Sequence, residues 1–471
     1  MRESRYRGKL RLNGRGGLGA RLGVVALSAV VLSGAVLFVA GDVASAGTDA
    51  PGVTPTNEGF ASRLSGDRSA LMDDTSANPT NSDASDAHVV PGVEDFLPVW
   101  YSNVCQGAVA VTPAMNLQNT IQSNPPGTTF CFSSGTYVLK TYLTPKSNDR
   151  LISVPRRKAV LTGLDRYPGG ILSYNPDVLV QGFVIHDFDD PWPTFPRSPL
   201  QLGNHWTVRD NDISSNSESG VSVGSGTRLV GNWIHNNGRY GFTGGPAIDI
   251  VVKDNEVSFN NTRHYDPHND AGGSKIIQSS GVVFTGNYVH DNYGNGLWCD
   301  WANINVTYVS NVLARNYLAG IFHEASARAV IRNNTFTDNA TYAKGKSIWF
   351  AADLQLNDSK DTSIYGNRIV AGFNGIALID VPRGSTIYGL LEIRDVSVHG
   401  NIITLPPGGG DGLVTLRPDF TPVDVRFSDN RYVIADPTAA LWAWPPTYDT
   451  WQDWQHQGND LTGVRQYDPA A

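Results

Sequence analysis

Nine short β-rich runs in this chain close on asparagine, and that repeat constrains the fold more than any other feature. The clearest are Trp206–Asn211, Thr227–Asn232, Ile250–Asn255, Val282–Asn287, Val306–Asn311 and Ala329–Asn334, with weaker copies ending at Asn367, Asn401 and Asn430. In the best copies a glycine follows nine residues later, at Gly220, Gly241, Gly296 and Gly320, and opens a second apolar run. A recurrence of about 20–50 residues marks stacked supersecondary units. Each unit reads as strand, turn, strand, turn, and buries its apolar side only by stacking on its neighbours. The apolar spacing of two excludes a helical solenoid. A propeller blade needs roughly 40–50 residues. The expected fold is all-β, a single-stranded right-handed parallel β-helix. The asparagine column is read as structural, because stacked Asn side chains bond backbone groups and suit left-handed turns.

The segments flanking the coils differ in kind. Residues 1–46 read as a signal peptide or membrane anchor. Seven basic residues lead into the apolar stretch Val24 to Gly41 and the small residues Ala44-Ser45-Ala46. Residues 47–97 read as a flexible linker. Residues 98–180 form an N-terminal cap and first coils, with a short helix over 114–121; residues 181–435 are the repeats. Residues 436–471 form a C-terminal cap in which Trp442, Trp444, Trp451 and Trp454 gather around a short helix over 450–455. A secreted location is expected, with membrane contact only through an uncleaved N-terminal segment. The chain is expected to be a monomer. Export permits disulfides; Cys105 and Cys131 are the expected pair, leaving Cys299 as a buried thiol.

Of the chain's net charge of −8, residues 1–46 carry +5, so the remainder carries −13. So acidic a surface excludes nucleic acid as a partner, since phosphate contacts need Lys and Arg.

Alternation along the strands sorts side chains to the two faces. In Gly296-Leu297-Trp298-Cys299-Asp300, Leu297 and Cys299 point inward, Trp298 and Asp300 outward. In Gly320-Ile321-Phe322-His323-Glu324, Ile321 points inward, Phe322 and Glu324 outward; His323 goes inward unless a bulge turns it to the groove. Lys275, Trp298, Phe322 and Trp349 are then expected in one external row, with Asp300 and Glu324 as neighbours about 4.8 Å apart. Stacked carboxylates raise each other's pKa. They suit a protonated acid beside an ionised partner or, alternatively, a Ca2+ site. Two carboxyls about 5 Å apart match a retaining glycosidase. Trp298, Phe322, Trp349, Asp270 and His323 are the expected substrate contacts. Tyr265 and His268, on the loop before Lys275, are the expected acid–base groups of an alternative chemistry.

The coils over 98–435 resemble the pectin-lyase-like superfamily of right-handed β-helices. Asp270–Lys275, Gly296–Asp300 and His323–Ser326 together look like a set found in exported bacterial β-helix repeat proteins. Tyr265-Asp266-Pro267-His268 is similar to the Tyr…Asp-Pro-His motif of mannuronan C5-epimerases and β-helix alginate lyases. That second resemblance implies Tyr265 and His268 as acid and base on a uronate; the residues themselves would add Lys275 as anion stabiliser or base and Ca2+ at Asp300 and Glu324. The expected partner is thus a polysaccharide. It is hydrolysed by Asp300 and Glu324 without a cofactor, or eliminated or epimerised with Ca2+, or bound without reaction.

Overall fold

The computed structural model describes residues 104–189, 198–344 and 349–469. The leader and linker expected over 1–97 lie outside them. Among the described residues the chain winds into three sheets of 13 strands. The first runs from Val109–Val111 to Val423–Ser428, the second from Gly135–Val138 to Val464–Tyr467, and the third from Tyr142–Leu143 to Thr447–Asp449. Neighbours within these sheets pair in parallel, apart from the last two strands of the third. Each coil therefore contributes three strands rather than the two expected. The additional strand is short, as in Asp212–Ser214 and Trp233–His235.

Register places like above like. In the first sheet Val208, Leu229, Val252, Phe284, Tyr308, Ile331, Ile364, Val398 and Phe427 form one inward column. All are essentially buried, so each coil's apolar side is covered only by its neighbours.

The repeating asparagines form a hydrogen-bonded ladder. The Nδ2 of each donates to the Oδ1 of the next, from Asn211 through Asn232, Asn255, Asn287, Asn311, Asn334, Asn367 and Asn401 to Asn430, at 2.9–3.0 Å. Asn430 donates to Asp460. Each Oδ1 also accepts the backbone N–H of the asparagine before it. The left-handed conformation is taken by the residue before each asparagine, among them Asp210, Gly231, Asp254, Gly286 and Ser310, and not by the asparagine itself. A second ladder, five residues on, links Asn216, Asn237, Asn260, Asn292, Asn316 and Asn339 and ends on Asp353.

The glycine column follows from this stacking. A Cβ on Gly241 would lie 2.7 Å from the Gly273 carbonyl oxygen and 2.8 Å from Val257. Gly241→Ala is expected to destabilise by about 2 kcal/mol through overpacking, read as a lower urea midpoint.

The ends are closed by helices. Helix α1 (Leu117–Gln122) is capped by Asn116 and buries Ile121 in the core. Helix α2 (Trp451–His456) starts at a Thr450–Asp453 capping box. Trp442, Trp451 and Trp454 pack into the core around Tyr432. Cys105 and Cys131 are disulfide-bonded, and Cys299 is a buried free thiol.

Candidate active site

The strands Gly272–Ile277, Leu297–Asp300 and Ile321–Glu324 are consecutive in the third sheet. Ile276 pairs with Cys299, and Cys299 with His323. Lys275 therefore stands beside Trp298, and Asp300 beside Glu324, as alternation implies. Lys275 Nζ lies 2.9 Å from Asp300 Oδ2 and 3.7 Å from the Trp298 ring centroid. Trp298 Nε1 donates to Glu324 Oε2 at 3.1 Å. Lys275, Trp298, Asp300 and Glu324 thus form one contiguous cluster.

Two segments close over it. The loop before Lys275 contributes the Asn269 carbonyl, which accepts from Lys275 Nζ at 2.9 Å. From the other side Arg383 reaches Glu324 Oε1 at 2.5 Å and Asp358 Oδ2 at 2.6 Å. Arg383 follows the strand Asn374–Asp380, two coils beyond Glu324. Sequence reasoning did not find it, since its partner is 59 residues away. Its only signal is a basic residue in the insertion Val381-Pro382-Arg383-Gly384.

The two acids are placed differently. Asp300 keeps 18% of its side chain exposed and faces Lys275. Glu324 is buried. Burial pushes its carboxyl up to about 7, the Asp300 charge adds to the rise, and Arg383 and Lys275 oppose it. Burial likewise raises Asp358 to about 6 and Asp353 to about 7. Between roughly pH 4 and 7 the folded chain holds protons that unfolded carboxyls have lost. The resulting stability is fully present below about pH 4 and is lost as pH rises through 6–7. Asp212, Glu256 and Asp291, lowered by His or Arg partners, act oppositely at the acid end. Calorimetry should show a thermal midpoint higher near pH 5 than at pH 8.

Several expected contacts are corrected. Trp298 and Phe322 are outward-facing but buried, stacked on each other with centroids 5.4 Å apart. Lys275 lies over the Trp298 ring, and Trp298 and Phe322 pack with Ala319, so neither ring is a free sugar platform. Trp349 is outside the row, because Gln355 pairs with Phe322. Trp349 instead packs against Ala352, Ala377 and Ile379 and bonds the Tyr448 hydroxyl. His323 points into the core, its Nδ1 3.3 Å from the Tyr308 hydroxyl, and burial lowers it to about 3. No bulge turns it outward.

The remaining loop residues are engaged elsewhere. Tyr265 donates to Glu218 Oε1 at 2.5 Å, and burial raises its pKa. His268 sits beside Asp266 and edge-on to Tyr342. Asp270 accepts from the Tyr240 hydroxyl and pairs with Arg239.

A Ca2+ ion fits these residues poorly. Asp300 and Glu324 already face Lys275 and Arg383, and among the described residues no group of three or more His, Cys, Asp or Glu is placed to hold a metal. A cleft of about 400 Å³ opens elsewhere, lined by Asp189, Ser217, Asn236 and Arg263 and not by the acids.

Residues 200–369 match the family model described as right handed beta helix region. No curated protein matches the chain. Among solved structures, the catalytic unit of a thermostable GH87 alpha-1,3-glucanase from Streptomyces thermodiastaticus is similar with a TM-score of 0.54 and 14% identity, over 78% of this chain and 71% of that one. The mannuronan C-5 epimerase AlgE6 A-module of Azotobacter vinelandii follows at 0.49 and 14%, over 77% and 97%. PfbA, a surface adhesin of Streptococcus pneumoniae, gives 0.37 and 14%, over 69% and 86%. At such identity the likeness is one of fold, and the two lower scores carry no argument. With its three parallel sheets and matched repeat region, the chain is a right-handed parallel β-helix protein.

Proposed function

We propose that this is an exported, polysaccharide-directed β-helix protein whose chemical centre is the Glu324–Asp300 pair, acting by glycoside hydrolysis. The observation that carries the reading is the split between the two acids. Glu324 holds its proton near neutrality, while Asp300 is ion-paired with Lys275. Environments that separate two carboxyls in this way assign one as proton donor and the other as nucleophile or base. Arg383 is a positioning residue that fixes the Glu324 carboxyl. The leader-like N-terminus and the acidic remainder of the chain fit an extracellular neutral substrate. Elimination or epimerisation is less well supported, because Tyr265 and His268 bond elsewhere than to Lys275.

A second reading, glycan binding without turnover, is favoured by the position of the cleft away from the acids. Screening polysaccharides for new reducing ends separates the two. Hydrolysis predicts turnover that falls about 10²–10⁴-fold in Glu324→Gln and in Asp300→Asn. Full rate in both variants would remove the acids from the reaction. Retention of a glycan by the native chain with no new ends would leave the binding reading.

A further inference from the structure

The strongest feature outside the acid cluster is the cleft where the second sheet turns into the third. Its volume of about 400 Å³ lies within the roughly 300–1,000 Å³ usual for ligand sites. Its walls come from successive steps of one corner: Ser217, then Asn236, then Thr262 and Arg263, with Asp165 and Asp189 from earlier coils. These three successive coils, about 4.8 Å apart, span roughly 10 Å along the axis. The lining mixes hydroxyl, amide and carboxylate groups, which together donate to and accept from a polyol.

The charges indicate which polyol. Arg263 is the cation of the lining, and its Nη2 already lies 3.2 Å from Asp189 Oδ1. Asp165 adds a second carboxylate. The cleft therefore carries a net negative charge, and a uronate or sulfated sugar would enter against it.

An independent feature extends the same corner. Beside Arg263 it carries His264, and in the next coils Tyr293, Tyr317 and Tyr342, in one contiguous row. Tyr293 and Tyr317 are stacked at 4.4 Å, Tyr317 meets Tyr342 at 5.4 Å, and His264 meets Tyr293 edge-on at 4.5 Å. The tyrosines are half-buried. Tyr293 and Tyr317 cover one another's faces, so the row offers ring edges and polar tips to a sugar chain.

We infer that this corner is a binding track for a neutral polysaccharide chain, held by hydrogen bonds in the cleft and by edge and hydroxyl contacts along the tyrosines. The inference shares the glycan reading of the preceding subsection but does not depend on Glu324 or Asp300 doing chemistry.

The test uses calorimetric titration in the Glu324→Gln background, so that no probe is consumed. Probes are neutral hexasaccharides (malto-, laminari- and cello-) and a hexamannuronate. At least one neutral probe should bind. Thr262→Trp, which fills the cleft from an exposed position, should weaken that binding at least tenfold, and Tyr317→Ala should also weaken it. The hexamannuronate should bind at least tenfold more weakly than the neutral probe. Unchanged thermal midpoints would show that both variants fold. Failure of all three neutral probes to bind, unchanged affinity in Thr262→Trp, or equal or tighter binding of the uronate would overturn the track. Hydrolysis is judged separately: neutral binding with no turnover by the native chain sinks the acid-pair chemistry alone. Native turnover with unchanged binding in Thr262→Trp sinks the track alone.

Discussion

Asn311→Ala should lower the stability of the coil stack by about 4 kcal/mol. The Asn311 amide makes four buried hydrogen bonds. Nδ2 donates to the Phe284 carbonyl and to Asn334 Oδ1, and Oδ1 accepts from the Asn287 backbone N–H and from Asn287 Nδ2. Truncation leaves partners on both sides without this amide, where no solvent reaches them. Each buried group so orphaned costs about 1–3 kcal/mol. Urea unfolding followed by circular dichroism measures the loss. Ser310→Gly supplies the control one residue earlier. Ser310 is left-handed at φ 55°, a position held by Gly231, Gly286 and Gly366 in other coils. Relief of that conformation and the added chain entropy nearly cancel, so the midpoint should move by less than about 1 kcal/mol. A small loss in Asn311→Ala, comparable to this control, would show that the ladder contributes little to stability.

Arg383→Ala should destabilise strongly in alkali and weakly in acid. The guanidinium is the cation facing two buried carboxylates, Glu324 and Asp358. Removing one partner of a buried ion pair costs about 3–5 kcal/mol because the other charge is left uncompensated. Both acids already have raised pKa values with Arg383 in place, and its loss raises them further. At pH 8 the unfolded carboxyls are ionised, so the variant must take up two protons to fold or else carry bare charges. At pH 5 both groups hold protons, and most of the penalty disappears. Thermal midpoints of native and variant protein at pH 5 and pH 8 give the result directly. An equal deficit at both pH values would mean that Arg383 acts by packing rather than by charge.

The sequence shows the stack clearly because its signal is a repeat of chemistry: an amide that must be buried and bonded, and a glycine where carbonyls approach too closely for a Cβ. The third strand of each coil is nearly invisible. Asp212–Ser214 contributes one core residue, Ile213, and one residue has no period. The second ladder could have been found, since Asn211 and Asn216, Asn232 and Asn237, and Asn255 and Asn260 share the spacing Asn-x4-Asn.

At the candidate site, alternation gave the direction of Lys275, Trp298, Asp300 and Glu324 correctly but not their exposure. Outward from a strand is not outward to water when a lysine lies over the ring and an arginine from an insertion two coils on closes over the acid. Trp349 misled for another reason. The insertion between the strands Thr335–Thr337 and Ala352–Asn357 carries Ser347-Ile348-Trp349, which imitates the repeat, whereas Leu354 and Leu356 set the register. Arg383 belongs to no local pattern at all. What assembled the cluster was loop and insertion packing, which a periodic reading averages away.

The amide chains also have a direction. In each ladder bond Nδ2 donates to the next amide toward the C-terminus, while its second hydrogen goes back to a backbone carbonyl of the preceding coil, so each chain finishes on a group that accepts. Asp460 fills that role for the first chain, taking the Asn430 amide on one oxygen and the Tyr432 hydroxyl and Trp454 indole on the other. Asp353 fills it for the second. A carboxylate therefore works as a full stop in a grammar whose sentences have no fixed length. Whole turns of the molecule, spliced from one amide to the equivalent amide, could be copied or removed with every bond remade. Growth by duplication would need no invention at the seams, only the preservation of its final acid.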